Sequence, residues 1–136
     1  MDVVGIFEKC CTKEDEGYLC EIKGRIFEII PATEEQIASF RKNCDEREVP
    51  EKIKEELTGY YRQNNSFFNY VTCDDVGIFE WWDDYRELWL GCIDMDVYRY
   101  STEKGKYTIG DAGDPSYGEE FEFDSIEEML VAALGG

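Results

Sequence analysis

The chain has 136 residues, with 32 Asp and Glu against 14 Lys and Arg and no histidine, so it carries a formal net charge of -18 and a pI near 4.2. That field opposes nucleic acids and anionic membrane surfaces, both of which gain affinity from Lys and Arg. Because 43% of residues are hydrophobic and 15% aromatic, the chain can still bury a core, unlike acidic chains that stay disordered. Its length fits one domain spanning residues 1–136.

In chain order, Val3 to Phe7, Tyr18 to Ile22 and Ile26 to Ile30 are short apolar stretches. The last two read as a hairpin turning at Lys23-Gly24, and the first residues fit either a strand or a short helix. Thr33-Glu-Glu-Gln36 has capping-box spacing, and Ile37, Phe40 and Cys44 then recur at helical spacing. Pro50 suits the first position of a second helix, whose apolar stripe is Ile53, Leu57, Tyr60 and Tyr61. Between residues 67 and 110, Phe67–Thr72, Val76–Trp82, Arg86–Gly91, Met95–Tyr100 and Lys106–Ile109 read as a meander of short strands. Glu103-Lys104-Gly105 makes a hairpin tip, and residues 110–120 form a glycine-rich loop. Asp124, with Glu127 three residues on, caps a last helix with the apolar face Ile126, Met129, Leu130, Ala133 and Leu134, and Gly135 stops it. The pattern is α+β: a largely antiparallel sheet packed by helices.

The six cysteines (Cys10, Cys11, Cys20, Cys44, Cys73 and Cys92) contain no C-x-x-C pair and have no histidine to complete a mixed zinc site. With no basic n-region and no apolar h-region at the start, they read as reduced, mostly buried thiols in a cytoplasmic protein.

Little in the chain suggests catalysis. Without histidine the commonest general base is missing, and no G-x-S-x-G elbow occurs. The glycines at 110, 113 and 118 lack a following Lys-Ser or Lys-Thr and are flanked by acids, which would repel phosphate. Asp94 with Asp96, or Asp111 with Asp114, could hold a hard cation, but neither pair follows an EF-hand spacing. No catalytic residue, resident metal or cofactor is expected. Glu80-Trp81-Trp82-Asp83-Asp84 sets neighbouring indoles on opposite faces of a strand. Either both pack, or one lies at the surface among acids, where it could receive Lys and Arg through cation–π and charge-assisted contacts. A surface of this sign suits a basic protein partner.

Several segments resemble the SUKH superfamily, which includes immunity proteins of bacterial polymorphic toxin systems and fungal cell-wall regulators. Val49-Pro50-Glu51-Lys52-Ile53-Lys54-Glu55-Glu56-Leu57 is similar to its "LP-x-x-(Y/I)-K-x-x-L" helix. Gln63-Asn64-Asn65-Ser66 is similar to the asparagine-glycine turn after it, with Ser66 where glycine is usual. Leu88 to Tyr100 resembles its strand pair with a central glycine, and Phe121 to Leu130 its terminal strand-to-helix junction. The resemblance covers roughly residues 31–134 and implies turn and capping roles for Pro50, Gly91, Asp124 and Ser125. It implies a non-catalytic protein-binding domain, most simply an immunity protein that occludes the active site of a cognate basic toxin, such as a nuclease. The alternative it allows is a general scaffold or regulatory domain without a toxin partner. On local composition, the partner-binding residues are Glu80, Trp81, Trp82, Asp83, Asp84, Asp94, Asp96, Asp111 and Asp114.

Overall fold

The computed structural model describes residues 3–6, 11–14, 17–22, 25–67, 71–75, 87–93, 96–111 and 121–133. Its architecture is α+β, with every described strand pair antiparallel. A short helix α1 (Val3–Ile6) precedes a three-stranded meander of β1 (Cys11–Glu14), β2 (Gly17–Ile22) and β3 (Arg25–Ile29). The expected hairpin is therefore present, β1 adds a strand to it, and the first residues take the helical alternative.

Helix α2 (Glu34–Glu46) begins as the sequence indicates. Gln36 N–H donates to Thr33 Oγ1 at 3.1 Å, and Thr33 N–H donates to Gln36 Oε1 at 3.0 Å. It ends in a Schellman turn: Val49 N–H donates to Cys44 O, Glu48 N–H donates to Asp45 O, and Glu48 takes a φ of 56°. Helix α3 (Glu51–Tyr61) starts one residue later than expected. Pro50 is the residue before its first turn, and its carbonyl accepts from Ile53 and Lys54 N–H. The two helices are joined by ion pairs. Arg41 Nη2 lies 2.7 Å from Glu55 Oε1, and the nearly buried Lys54 Nζ lies 2.7 Å from Asp45 and 2.9 Å from Glu51.

The segment expected as one strand from Phe67 to Thr72 is instead a small hairpin of β4 (Ser66–Phe67) and β5 (Val71–Thr72), followed by a 3-10 turn at Cys73–Asp75. The expected strand Val76–Trp82 lies outside the described residues. The main sheet then runs in sequential order through β6 (Glu87–Ile93), β7 (Asp96–Ser101), β8 (Lys106–Asp111) and β9 (Phe121–Phe123). The tip at residues 102–105 turns with Gly105 at a φ of 66°. Helix α4 (Ile126–Ala133) closes the described chain. Its cap is Ser125 rather than Asp124. Glu128 N–H donates to Ser125 Oγ at 3.1 Å, and Glu128 Oε2 accepts from Asp124 N–H. The serine one position along reaches the third amide of the helix, which Asp124 leaves to it.

The core forms where one face of the main sheet meets the helices. Leu88, Tyr98, Tyr100, Tyr107 and Ile109 join Phe40, Leu57, Tyr60, Tyr61, Met129 and Leu130 in one buried cluster. Phe67 sits at its centre, stacked on Tyr60 with ring centroids 4.1 Å apart and edge-on to Tyr61 at 5.9 Å. Val97, Arg99, Ser101 and Thr108 alternate with the core residues, and they too are buried. On that second face Arg99 Nη1 donates to Glu87 Oε2 at 2.8 Å. Gly91 lies inside β6 next to a bulge, not in the turn role the family resemblance implies. A Cβ there would sit 2.3 Å from Phe67 O.

The expectation of six reduced thiols needs correction. Cys44 and Cys73 are buried and unbridged, and burial pushes the Cys44 thiol up to about 12. Cys20, however, is disulfide-bonded. Strand pairing brings distant cysteines into range, and the register sets the Cα of Cys11 opposite that of Cys20. The other half of the bond lies outside the side chains described.

Gly91→Ala is expected to lower stability by about 1–3 kcal/mol, because the group it meets is backbone and cannot swing away. Urea unfolding checks this as a reduced midpoint with an unchanged slope.

Candidate acidic groove

The carboxylates of α3 are arranged by helical spacing. Glu56, Gly59 and Gln63 recur at i, i+3 and i+7, and Glu55 lies four residues before Gly59. The opposite stripe of Ile53, Leu57, Tyr60 and Tyr61 is buried, which turns this acidic side outward. Helix α4 is held by Ile126, Met129, Leu130 and Ala133, all buried, and the Ser125 cap fixes its first turn. Between the two helices lies a cavity of about 340 Å³. Glu55, Glu56, Gly59, Tyr60 and Gln63 form one wall; Ser125, Ile126 and Glu127 form the other.

Each carboxylate is held differently. The buried Tyr107 hydroxyl donates to Glu56 Oε2 at 3.0 Å, orienting that acid from the sheet side. Burial, reinforced by the Glu56 charge, raises the Tyr107 phenol far above its ordinary range, so it stays a donor. Arg41 hydrogen-bonds Glu55 and holds its carboxyl below the usual carboxylate range. Glu127 is exposed and makes no ion pair among the described residues. Gly59 is exposed, and a Cβ there would meet nothing within 4 Å.

The lining contains no Lys or Arg. Over the rest of the described surface the basic side chains are largely used up. Arg41, Lys42, Arg47, Lys54, Arg62, Arg99, Lys104 and Lys106 each lie within ion-pair distance of a carboxylate. The excess acid is therefore presented without compensation. Chemically, carboxylates on both walls with no basic side chain beside them favour a cation over an anion. Among the described residues no group of three or more Cys, Asp or Glu is placed to hold a metal ion.

Most of the residues expected at the interface cannot be placed. Glu80, Trp81, Trp82, Asp83, Asp84, Asp94 and Asp114 lie outside the described residues. Asp96 opens β7, half-buried, and the register sets it directly opposite Asp111, the last residue of β8. Two of the expected acids thus occupy facing register positions at one end of the main sheet. The groove itself was missed. Its one visible sign in the sequence is a glycine inside a helix with acids one turn before it; the approach of Ser125 and Glu127 depends on tertiary packing. No family model, no curated protein and no solved structure matches this chain.

Two carboxyls make stability pH-dependent in opposite senses. Burial, outweighing the pull of Arg99, holds Glu87 above its ordinary value. Its contribution is complete below the ordinary carboxylate pKa and is lost as pH rises through the raised one. Glu55 is depressed, so its contribution is present above the ordinary pKa and lost as pH falls through the lowered one. Falling pH also relieves the self-repulsion of the net charge. Stability is expected to rise from pH 7 to about 5 and then to fall, measured by urea midpoints across that range.

Proposed function

We propose that the chain is a non-catalytic protein-binding domain of SUKH type, an immunity protein that neutralises a basic toxin by covering its active site. The observation that carries this reading is the unbalanced acid surface. Nearly every described basic side chain is already paired, in a chain whose net charge is -18. Such a field accelerates encounter with a cationic cleft. The groove between α3 and α4 adds a concave feature of the same sign. The α+β architecture, with a helix following the last strand, agrees with the segments that resemble the superfamily. No helix among the described residues is long and apolar enough to cross a membrane.

Affinity capture with the intact chain at low and high salt tests the reading. One dominant basic protein is expected, captured more slowly at high salt as the steering field is screened. Its activity should disappear when the chain is added at a one-to-one ratio. Several unrelated partners, or a partner that remains fully active in the complex, would overturn the reading.

An immunity protein of this kind works in the cytoplasm, and the Cys20 disulfide conflicts with that compartment, where such bonds are kept reduced. Because Cys20 is buried, the test is acid quenching of cells followed by alkylation of the denatured chain, which is expected to label Cys20 if the cytoplasmic placement holds. A blocked Cys20 would place the chain in an oxidising compartment.

A further inference from the structure

We propose that the groove between α3 and α4 is a socket for a single lysine or arginine side chain of the protein partner. The inference rests on the binding reading above and assigns it a contact point. A volume of about 340 Å³ lies at the small end of ligand pockets and suits one long side chain. The floor at Gly59 and the Ile126 side chain offer an apolar bed for the stem. Glu56 and Glu127 stand on opposite walls to receive the head. Glu56 is already oriented by the Tyr107 hydroxyl at 3.0 Å, so less order is lost when a cation arrives.

Gly59 supplies the independent argument. A glycine inside a helix costs about 1 kcal/mol relative to alanine, and nothing in this fold requires it. It is not among the residues with positive φ, and a Cβ would meet no atom within 4 Å. Gly59 is exposed and lines the groove, so a side chain added there would stand at its wall. The start of α4 disfavours a cation through its dipole; Ser125 Oγ takes up one of its amides, that of Glu128, and the Glu127 carboxylate in the same turn offsets the dipole.

The test is a titration of the ¹⁵N-labelled chain with two capped tripeptides, acetyl-Gly-Lys-Gly-amide and acetyl-Gly-Arg-Gly-amide, with acetyl-Gly-Norleucine-Gly-amide as the uncharged control. Saturable shifts confined to the amides of Gly59, Gln63 and Glu127 are expected for one or both basic peptides and not for the control. Glu56→Gln and Glu127→Gln should each weaken the response roughly 3- to 10-fold. Gly59→Leu should abolish it with the helical circular dichroism retained, since leucine favours a helix more than glycine does. Shifts that never saturate, that spread over the whole acidic surface, or that survive Gly59→Leu would overturn the proposal. If Gly59→Leu still captures and inhibits the basic partner at full strength, the socket is refuted while the binding function stands. Saturation in the groove without any captured partner supports the socket and refutes the immunity reading.

Discussion

The main-chain carbonyl of Phe67 rests against Gly91, and the rest of the architecture depends on that approach. Phe67 belongs to a two-residue strand, yet its ring stacks on Tyr60 and meets Tyr61 edge-on, while its backbone abuts the interior of β6. One residue thus ties α3 to the main sheet from both its side chain and its peptide group. The approach is possible only because position 91 has no Cβ, and the bulge between Trp89 and Gly91 bends β6 to accommodate it. Anchored there, α3 presents its buried stripe to the sheet and its acidic side away from it, and the groove is a consequence.

Electrostatics are organised around the same helices. The seam between α2 and α3 uses scarce cations where they hold elements together: Arg41 reaches Glu55 and Thr58, and Lys54 bridges Asp45 and Glu51. Lys104 with Glu122 and Lys106 with Asp124 do the same between the hairpin tip and the last strand. A chain with this imbalance cannot neutralise itself, and its described basic groups go mostly to pairs that join one element to another.

The helices were legible in the sequence because their signals are local. Thr33 and Gln36 cap each other through four residues, and the stripes at Ile37–Cys44 and Ile53–Tyr61 need only helical period to be read. Errors of one position, at Pro50 and at Ser125, arose where two neighbouring residues could both serve as a cap. The stretch from Phe67 to Thr72 read as one strand because its aromatic content is uniform, and composition says nothing of a reversal within it. Strand β1 was missed because Cys-Thr-Lys-Glu has no apolar alternation. The Cys20 bridge, the Gly91 contact and the meeting of Asp96 with Asp111 are matters of register between segments, which spacing along the chain does not encode. The groove belongs to that class too, since its walls come from distant parts of the sequence.

That distance gives the α4 wall a further meaning. The groove exists only while this eight-residue helix stays docked through Met129, Leu130 and Ala133, and small elements can open locally at less cost than the whole fold. An occupant therefore recognises the closed form alone and draws the equilibrium toward it; at a hundred times its dissociation constant it adds about 2.7 kcal/mol. Occupancy of the groove and the docking of α4 are thus one thermodynamic quantity seen from two ends, and a chain without its partner is the form in which α4 undocks most readily.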